Sequence, residues 1–200
     1  MLKKTVAALC FTVPLMAMHE VELNLNNYDL DAKLHLDMGQ FNPSVEPGSV
    51  FFGARYLHAS RQHSDDDLNK DNDLFDGHFF VRQRLSGARA LSLGMGMKFV
   101  YTSVQSHDFY ALPLGLMADY DLPLGMNIPV TIGGTFYYSP QVLSWSDAKN
   151  YMEYDVHLDV MFIDRAGITG GYRKVDTDFD LSHGDLVYNE TWFIGVKFRF

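Results

Sequence analysis

The chain of 200 residues carries 25 acidic and 16 basic side chains, a formal net charge of −9. That charge argues against nucleic-acid binding, which rests on neutralising phosphates. Its length suits one domain or one closed barrel, and 15 Phe, 11 Tyr and 16 Gly lean toward strands and tight turns.

The segment "MLKKTVAALCFTVPLMAMHE" has a basic start at Lys3 and Lys4, an apolar run from Thr5 to Ala17, and a polar stretch from His19. This pattern reads as a secretory signal peptide over residues 1–17, cleaved after Ala17 or as late as residue 19, with the barrel over 18–200. The apolar run, about 13 residues broken by Pro14, falls short of the ~20 that a spanning helix needs. Cys10 follows Leu9 where a lipoprotein signal wants a small residue, so lipidation is not expected. Loss of residues 1–17 takes the charge from −9 to −11 and leaves no cysteine.

From there the chain alternates with period two, the signature of strands. Val21, Leu23 and Leu25 oppose Glu22 and Asn24; Ala32, Leu34, Leu36 and Met38 oppose Lys33, His35 and Asp37. Val50, Phe52, Ala54 and Tyr56 oppose Phe51, Gly53 and Arg55; Phe75, Gly77, Phe79 and Val81 oppose His78, Phe80, Arg82 and Arg84. The run from Leu91 to Tyr101 sets Leu, Met and aromatic residues against Ser92, Gly94, Gly96 and Lys98. Similar alternation runs through 110–120, 130–138, 154–162, 168–173 and 192–200. The count is about ten, and an even number suits a closed antiparallel up-and-down transmembrane barrel.

Polar connections are expected at 59–73, 139–150 and 176–186, and tight joins at Ser86-Gly87, Asp121 to Asn127 and Asp164 to Ala166. Long external loops and short periplasmic turns are the pattern of an outer-membrane barrel. "WSDAKNYMEY" is the best candidate for a helix. Pro113 interrupts its strand, so either the strand begins at Leu114 or a bulge lies there.

Periodicity alone does not say which face meets lipid, since soluble barrels alternate too. The charges decide. The polar face carries Lys33, Arg55, Arg82, Arg84, Lys98, Arg173, Lys197 and Arg199 against Glu22, Asp37, Asp119, Glu153, Asp155 and Asp159, with His35 and His157 among them. Near-balance of charge is what a narrow ion-paired lumen requires. Tyr101, Tyr110, Tyr120, Tyr138, Tyr172 and Trp192 gather at strand ends, where membrane interfaces favour amphipathic rings.

Asp155, His157 and Asp159 share one strand face and have metal-like spacing, yet the same groups serve a charge network with arginines, and the network is the reading adopted. Asp67, Asn69, Asp71 and Asp73 follow a calcium-loop register, but Asn72 stands where the loop needs glycine and His78 where it needs glutamate. Ser139, Ser144, Ser146, His63, His107 and His183 lie on the presumed rim without a nucleophile elbow or zinc motif. No cofactor and no catalytic residue are implied.

"GGTFYYSPQVLSWSDAKNYMEYDV", "ITGGYRK" and the closing "NETWFIGVKFRF" resemble the YfaZ family of small outer-membrane proteins of Gram-negative bacteria. Tyr137, Tyr138, Ser139 and Pro140 are the most specific part of the resemblance, which implies an outer-membrane β-barrel and no catalytic residues. Trp192, Ile194, Val196, Phe198 and Phe200 resemble the closing aromatic signal read by barrel-assembly machinery. The expected partners are outer-membrane lipid, lipopolysaccharide and that machinery, with the barrel a monomer. The expected role is a structural or interaction barrel with a charge-filled lumen; a narrow channel and a rim-located hydrolase are the alternatives.

Overall fold

Apolar and polar residues alternate from Glu20 onward, and each strand places one set on each side of a sheet. The computed structural model describes residues 19–59, 72–104, 107–125, 128–146, 148–179 and 185–200, so the expected signal peptide at 1–17 lies outside the described residues. The strands are β1 (Glu20–Leu25), β2 (Asp29–Asp37), β3 (Val50–Ala59), β4 (Asn72–Leu85), β5 (Ala88–Val104) and β6 (His107–Ala111). They continue as β7 (Leu114–Asp121), β8 (Val130–Ser139), β9 (Ser144–Ser146), β10 (Ala148–Ile163), β11 (Ala166–Phe179) and β12 (Asp185–Arg199). Each pairs antiparallel with its ring neighbours, and β12 returns to β1 with Glu20 opposite Arg199 and Leu25 opposite Ile194.

These segments form a closed barrel of 10 staves, because two staves are broken in the middle. One is β6 with β7, interrupted at Leu112 and Pro113; the other is β8 with β9, interrupted by a short 3-10 turn over Gln141–Leu143. The breaks lie at one level, since the Leu112 N–H donates to the Leu143 carbonyl at 2.9 Å. The strand after Pro113 does begin at Leu114. The missing N–H falls in the gap between strands, while the Pro113 carbonyl still accepts from the Lys98 N–H at 2.9 Å.

The described residues of "WSDAKNYMEY" are strand, not helix: Trp145 and Ser146 end β9, and β10 begins at Ala148. Tyr151, Glu153 and Asp155 face inward on β10, whose ladders to β8 and β11 satisfy its backbone on both sides and override local helix preference. The polar connections expected at 139–150 and 176–186 are also shorter than the composition suggests, because β9 and β10 take up Ser144–Ser146 and the chain from Ala148, and β11 runs on to Phe179 while β12 begins at Asp185. Backbone pairing such as Thr177 with Leu186 proceeds whatever the side-chain polarity.

His19 and Phe200 lie at one end of the barrel, with the turns 38–49, 86–87 and 164–165, the end of β7 and the start of β8. We call this the terminus end. Met95 is 64 % exposed and Leu116 62 % on the outer face, against 7 % for Lys98 and 6 % for Asp155 inside. An apolar exterior around a charged interior inverts a soluble barrel and matches a bilayer. Far from the termini, Tyr56 packs on Phe75 at 4.9 Å between ring centres, Tyr101 on Tyr110 at 5.0 Å and Tyr172 on Trp192 at 5.2 Å. These outward rings form the girdle of one interface. Tyr120 belongs near the other, one residue before the terminus-end limit of β7.

The outward face makes a first prediction. Leu116→Arg should destabilise the barrel in lipid vesicles by about 2–4 kcal/mol, read by urea unfolding. An effect within error of the native protein would remove Leu116 from the hydrocarbon.

Candidate functional site

Inward residues at mid-height are charged, and a charge taken from water is tolerated only when paired and hydrogen-bonded. Arg55 on β3 donates from Nε to Asp31 at 2.7 Å and from Nη1 to Glu153 at 2.5 Å, with Asp76 3.7 Å away. Lys98 on β5 reaches Glu153 at 2.8 Å, and the Tyr151 hydroxyl donates to the same carboxylate at 2.8 Å. Arg173 on β11 pairs with Asp31 and donates to Asn189 at 3.1 Å. The layer therefore ties strands from opposite walls across the lumen.

Lys98 also stands 4.2 Å over the ring centre of Tyr137, a cation–π contact. Tyr137 finds room because its neighbour is Gly115; a Cβ there would stand 2.2 Å from the ring. Of the family-like stretch, Tyr137 is thus lumenal, Tyr138 faces outward, and Ser139 donates to the Leu143 carbonyl at 2.8 Å and meets Ser144 Oγ at 3.1 Å. Pro140 opens the turn that breaks the stave.

Beyond this layer, away from the termini, Leu57, Ala59, Leu74, Val100, Phe109, Ala111, Tyr151 and Val175 form a buried cluster inside the barrel. Phe109 and Tyr151 stack with ring centres 5.9 Å apart. Among the described residues, an ionic layer and an apolar cluster therefore occupy successive levels of the interior there.

Towards the termini the interior is different. Lys197 bridges Asp159 at 2.6 Å, Glu22 at 3.1 Å and Glu20 at 3.7 Å, and Arg199 meets Glu20 at 3.1 Å, so the closing seam of β1 and β12 is ionic within. Lys33 pairs with Glu22 at 2.8 Å and His35 lies 3.5 Å from Glu20. Asp37 stands apart from this network. Its carboxylate accepts from the Gly39 N–H at 2.9 Å and the Gly48 N–H at 2.8 Å, because it ends β2 and the turn's backbone donors reach it first.

A cavity of about 920 Å³ opens at this end, lined by Arg82, Arg84, Asp119, Asp155, His157 and Tyr137 among others. Arg82 meets Asp119 at 3.5 Å and Arg84 meets Asp121 at 3.0 Å. His157 holds Asp155 at 2.7 Å and lies 3.8 Å from Asp119. The imidazole fits against Gly133, where a Cβ would come within 2.6 Å of Nε2.

Fifteen of the sixteen expected lumen charges stand in ion pairs, Asp37 excepted, with Glu20, Asp31 and Asp76 joining them and the Tyr151 hydroxyl bonded to Glu153. Among the described residues no group of His, Cys, Asp and Glu is spaced to hold a metal. Of the acidic loop, Asp67, Asn69 and Asp71 lie outside the described residues, while Asp73 pairs with His58 at 2.8 Å and accepts from Tyr56 at 2.9 Å. His63 and His183 also lie outside them, as do the side chains of His107 and Ser146.

A family model described as YfaZ precursor matches residues 85–200. The chain belongs to the YfaZ family. YfaZ membership and the inverted barrel make it an outer-membrane β-barrel protein. The matched segment begins at the end of β4 and includes Tyr137 to Pro140 and the whole of β12. No curated protein matches the chain. Among solved structures it is similar to in-vitro folded OmpT, an outer membrane protein of Vibrio cholerae in trimer form. That match has 9 % identity and a TM-score of 0.34, covering 86 % of this chain and 56 % of that one. It is also similar to the outer membrane channel DcaP of Acinetobacter baumannii, at 11 % identity and a TM-score of 0.37, covering 90 % of this chain and 54 % of that one. This YfaZ chain spans little more than half the length of either.

Proposed function

We propose that this YfaZ protein is a non-conducting, non-enzymatic structural or interaction barrel, exported with residues 1–17 removed and inserted as a monomer. Its terminus end faces the periplasm, the side on which such barrels keep their tight turns: the two-residue joins 86–87 and 164–165 lie there, while the connections after β2 and β7 at the same end are longer than that pattern. Lipid and lipopolysaccharide contact its outer wall, and barrel-assembly machinery reads the outward face of Trp192, Ile194, Val196, Phe198 and Phe200.

One observation carries this reading: the apolar cap from Leu57 to Val175 behind the Arg55 layer. A hydrated ion path needs polar contacts along its length, and the cap offers a dry stretch where solvation is lost. The channel alternative is weaker for that reason. The hydrolase alternative is weaker because Ser139 and Ser144 bond to each other and to the Leu143 and Pro140 carbonyls, with no imidazole among their hydrogen-bond partners in the described residues.

Liposome swelling tests it. Proteoliposomes carrying the refolded barrel should swell in arabinose no faster than protein-free ones. Swelling that rises with protein content would overturn the sealed lumen.

A further inference from the structure

The charged groups of the terminus-end cavity differ in how firmly they are engaged. Lys197 with Asp159 and Lys33 with Glu22 are close pairs, at 2.6 and 2.8 Å. Arg82 is not. Its guanidinium lies 5.1 Å over the Phe51 ring, and its side-chain hydrogen bond to Asp119 is long, at 3.5 Å. A planar fork with donors to spare is the usual receptor for a carboxylate.

On the facing part of the wall stands the opposite group. Asp155 is more than nine-tenths buried; Oδ1 is held by His157, while Oδ2 has no hydrogen-bond partner among the described residues. An unpartnered buried carboxylate oxygen is costly and calls for a donor. Asp119 and His157 link Arg82 to Asp155 through contacts of 3.5, 3.8 and 2.7 Å. The Asp119 carboxylate and the His157 ring stand between the two ends, a gap suited to a ligand of a few extended residues at about 3.3–3.6 Å each. Met117, Met161 and Phe80 give the same cavity apolar wall.

We infer that this cavity is a binding site for a short zwitterionic peptide, its carboxylate on Arg82 and its ammonium on Asp155. A ligand of single charge would be opposed by part of the mixed wall, whereas separated opposite charges satisfy both ends. The volume of about 920 Å³ lies within the range of small-ligand sites. The inference rests on the cavity opening to the periplasm, where short peptides would reach it.

The test is calorimetric titration of the detergent-solubilised barrel with trialanine, N-acetyl-trialanine and trialanine amide. Trialanine should bind saturably, and each cap should weaken binding about tenfold or more, the worth of a charge-assisted hydrogen bond. In Arg82→Gln the penalty for amidation should vanish while that for acetylation persists, and Asp155→Asn should show the reverse. Absence of saturable binding, equal binding of the capped peptides, or penalties unchanged in both variants would overturn the proposal. The capped peptides test the unaltered protein, so misfolding of a variant does not rescue it. Titration in detergent is independent of conduction, so failure here leaves the sealed lumen standing, and a leaking lumen leaves a binding result standing.

Discussion

Arg55→Met should lower the unfolding free energy of the barrel in vesicles by about 3–5 kcal/mol, the cost of removing one partner from a buried ion group. Arg55 joins Asp31 on β2, Asp76 on β4 and Glu153 on β10, and its loss leaves three carboxylates with less compensation in a buried layer. Lys98 still holds Glu153 and Arg173 still holds Asp31, but among the described residues Asp76 keeps only Lys98 at 4.0 Å and His78 at 2.7 Å. Arg84→Met gives the contrast. That pair with Asp121 is at the wet rim, with side chains 63 % and 47 % exposed, and its loss should cost less than about 1 kcal/mol. Equal costs for the two variants, read by urea unfolding, would mean that the mid-lumen layer is hydrated.

The second large effect concerns closure. The Phe200 N–H donates to the His19 carbonyl at 2.9 Å, and the His19 N–H donates to the Phe200 carbonyl at 3.1 Å. These bonds complete the seam where β12 meets β1, and in a barrel an open seam exposes backbone groups to lipid. The Phe200 ring adds an edge contact with His19, 5.8 Å between centres. A chain lacking Phe200 should reach the periplasm in normal amount while its folded fraction in the outer membrane falls severalfold, measured by cell fractionation and heat-modifiable migration. Normal outer-membrane levels would count against the role given to this residue.

The strands were legible because period two is a property of the backbone, and it places Leu116 outside and Lys98 inside without any knowledge of neighbours. Asp31 and Asp76 were within reach of the same argument, since each continues the parity of Arg55's face on the adjoining strands. The apolar cap was not. Leu57, Leu74, Val100 and Phe109 share the inward parity of arginines and aspartates, and only the register of separate strands brings them to one height. The broken staves show the same limit: Pro113 announces a defect, but its level with the Pro140 turn is a fact of pairing. Register likewise assembles Arg82, Asp119, His157 and Asp155 from β4, β7 and β10.

The central claim is that the lumen is closed beyond the Arg55 layer, and single-channel recording of the refolded barrel in a planar bilayer tests it most directly. The native protein should be silent, and a variant carrying Leu57→Gly with Phe109→Gly should show current as the cap empties. Steady, selective conductance of the native barrel that changes in Arg82→Ala or Asp155→Ala would contradict the claim.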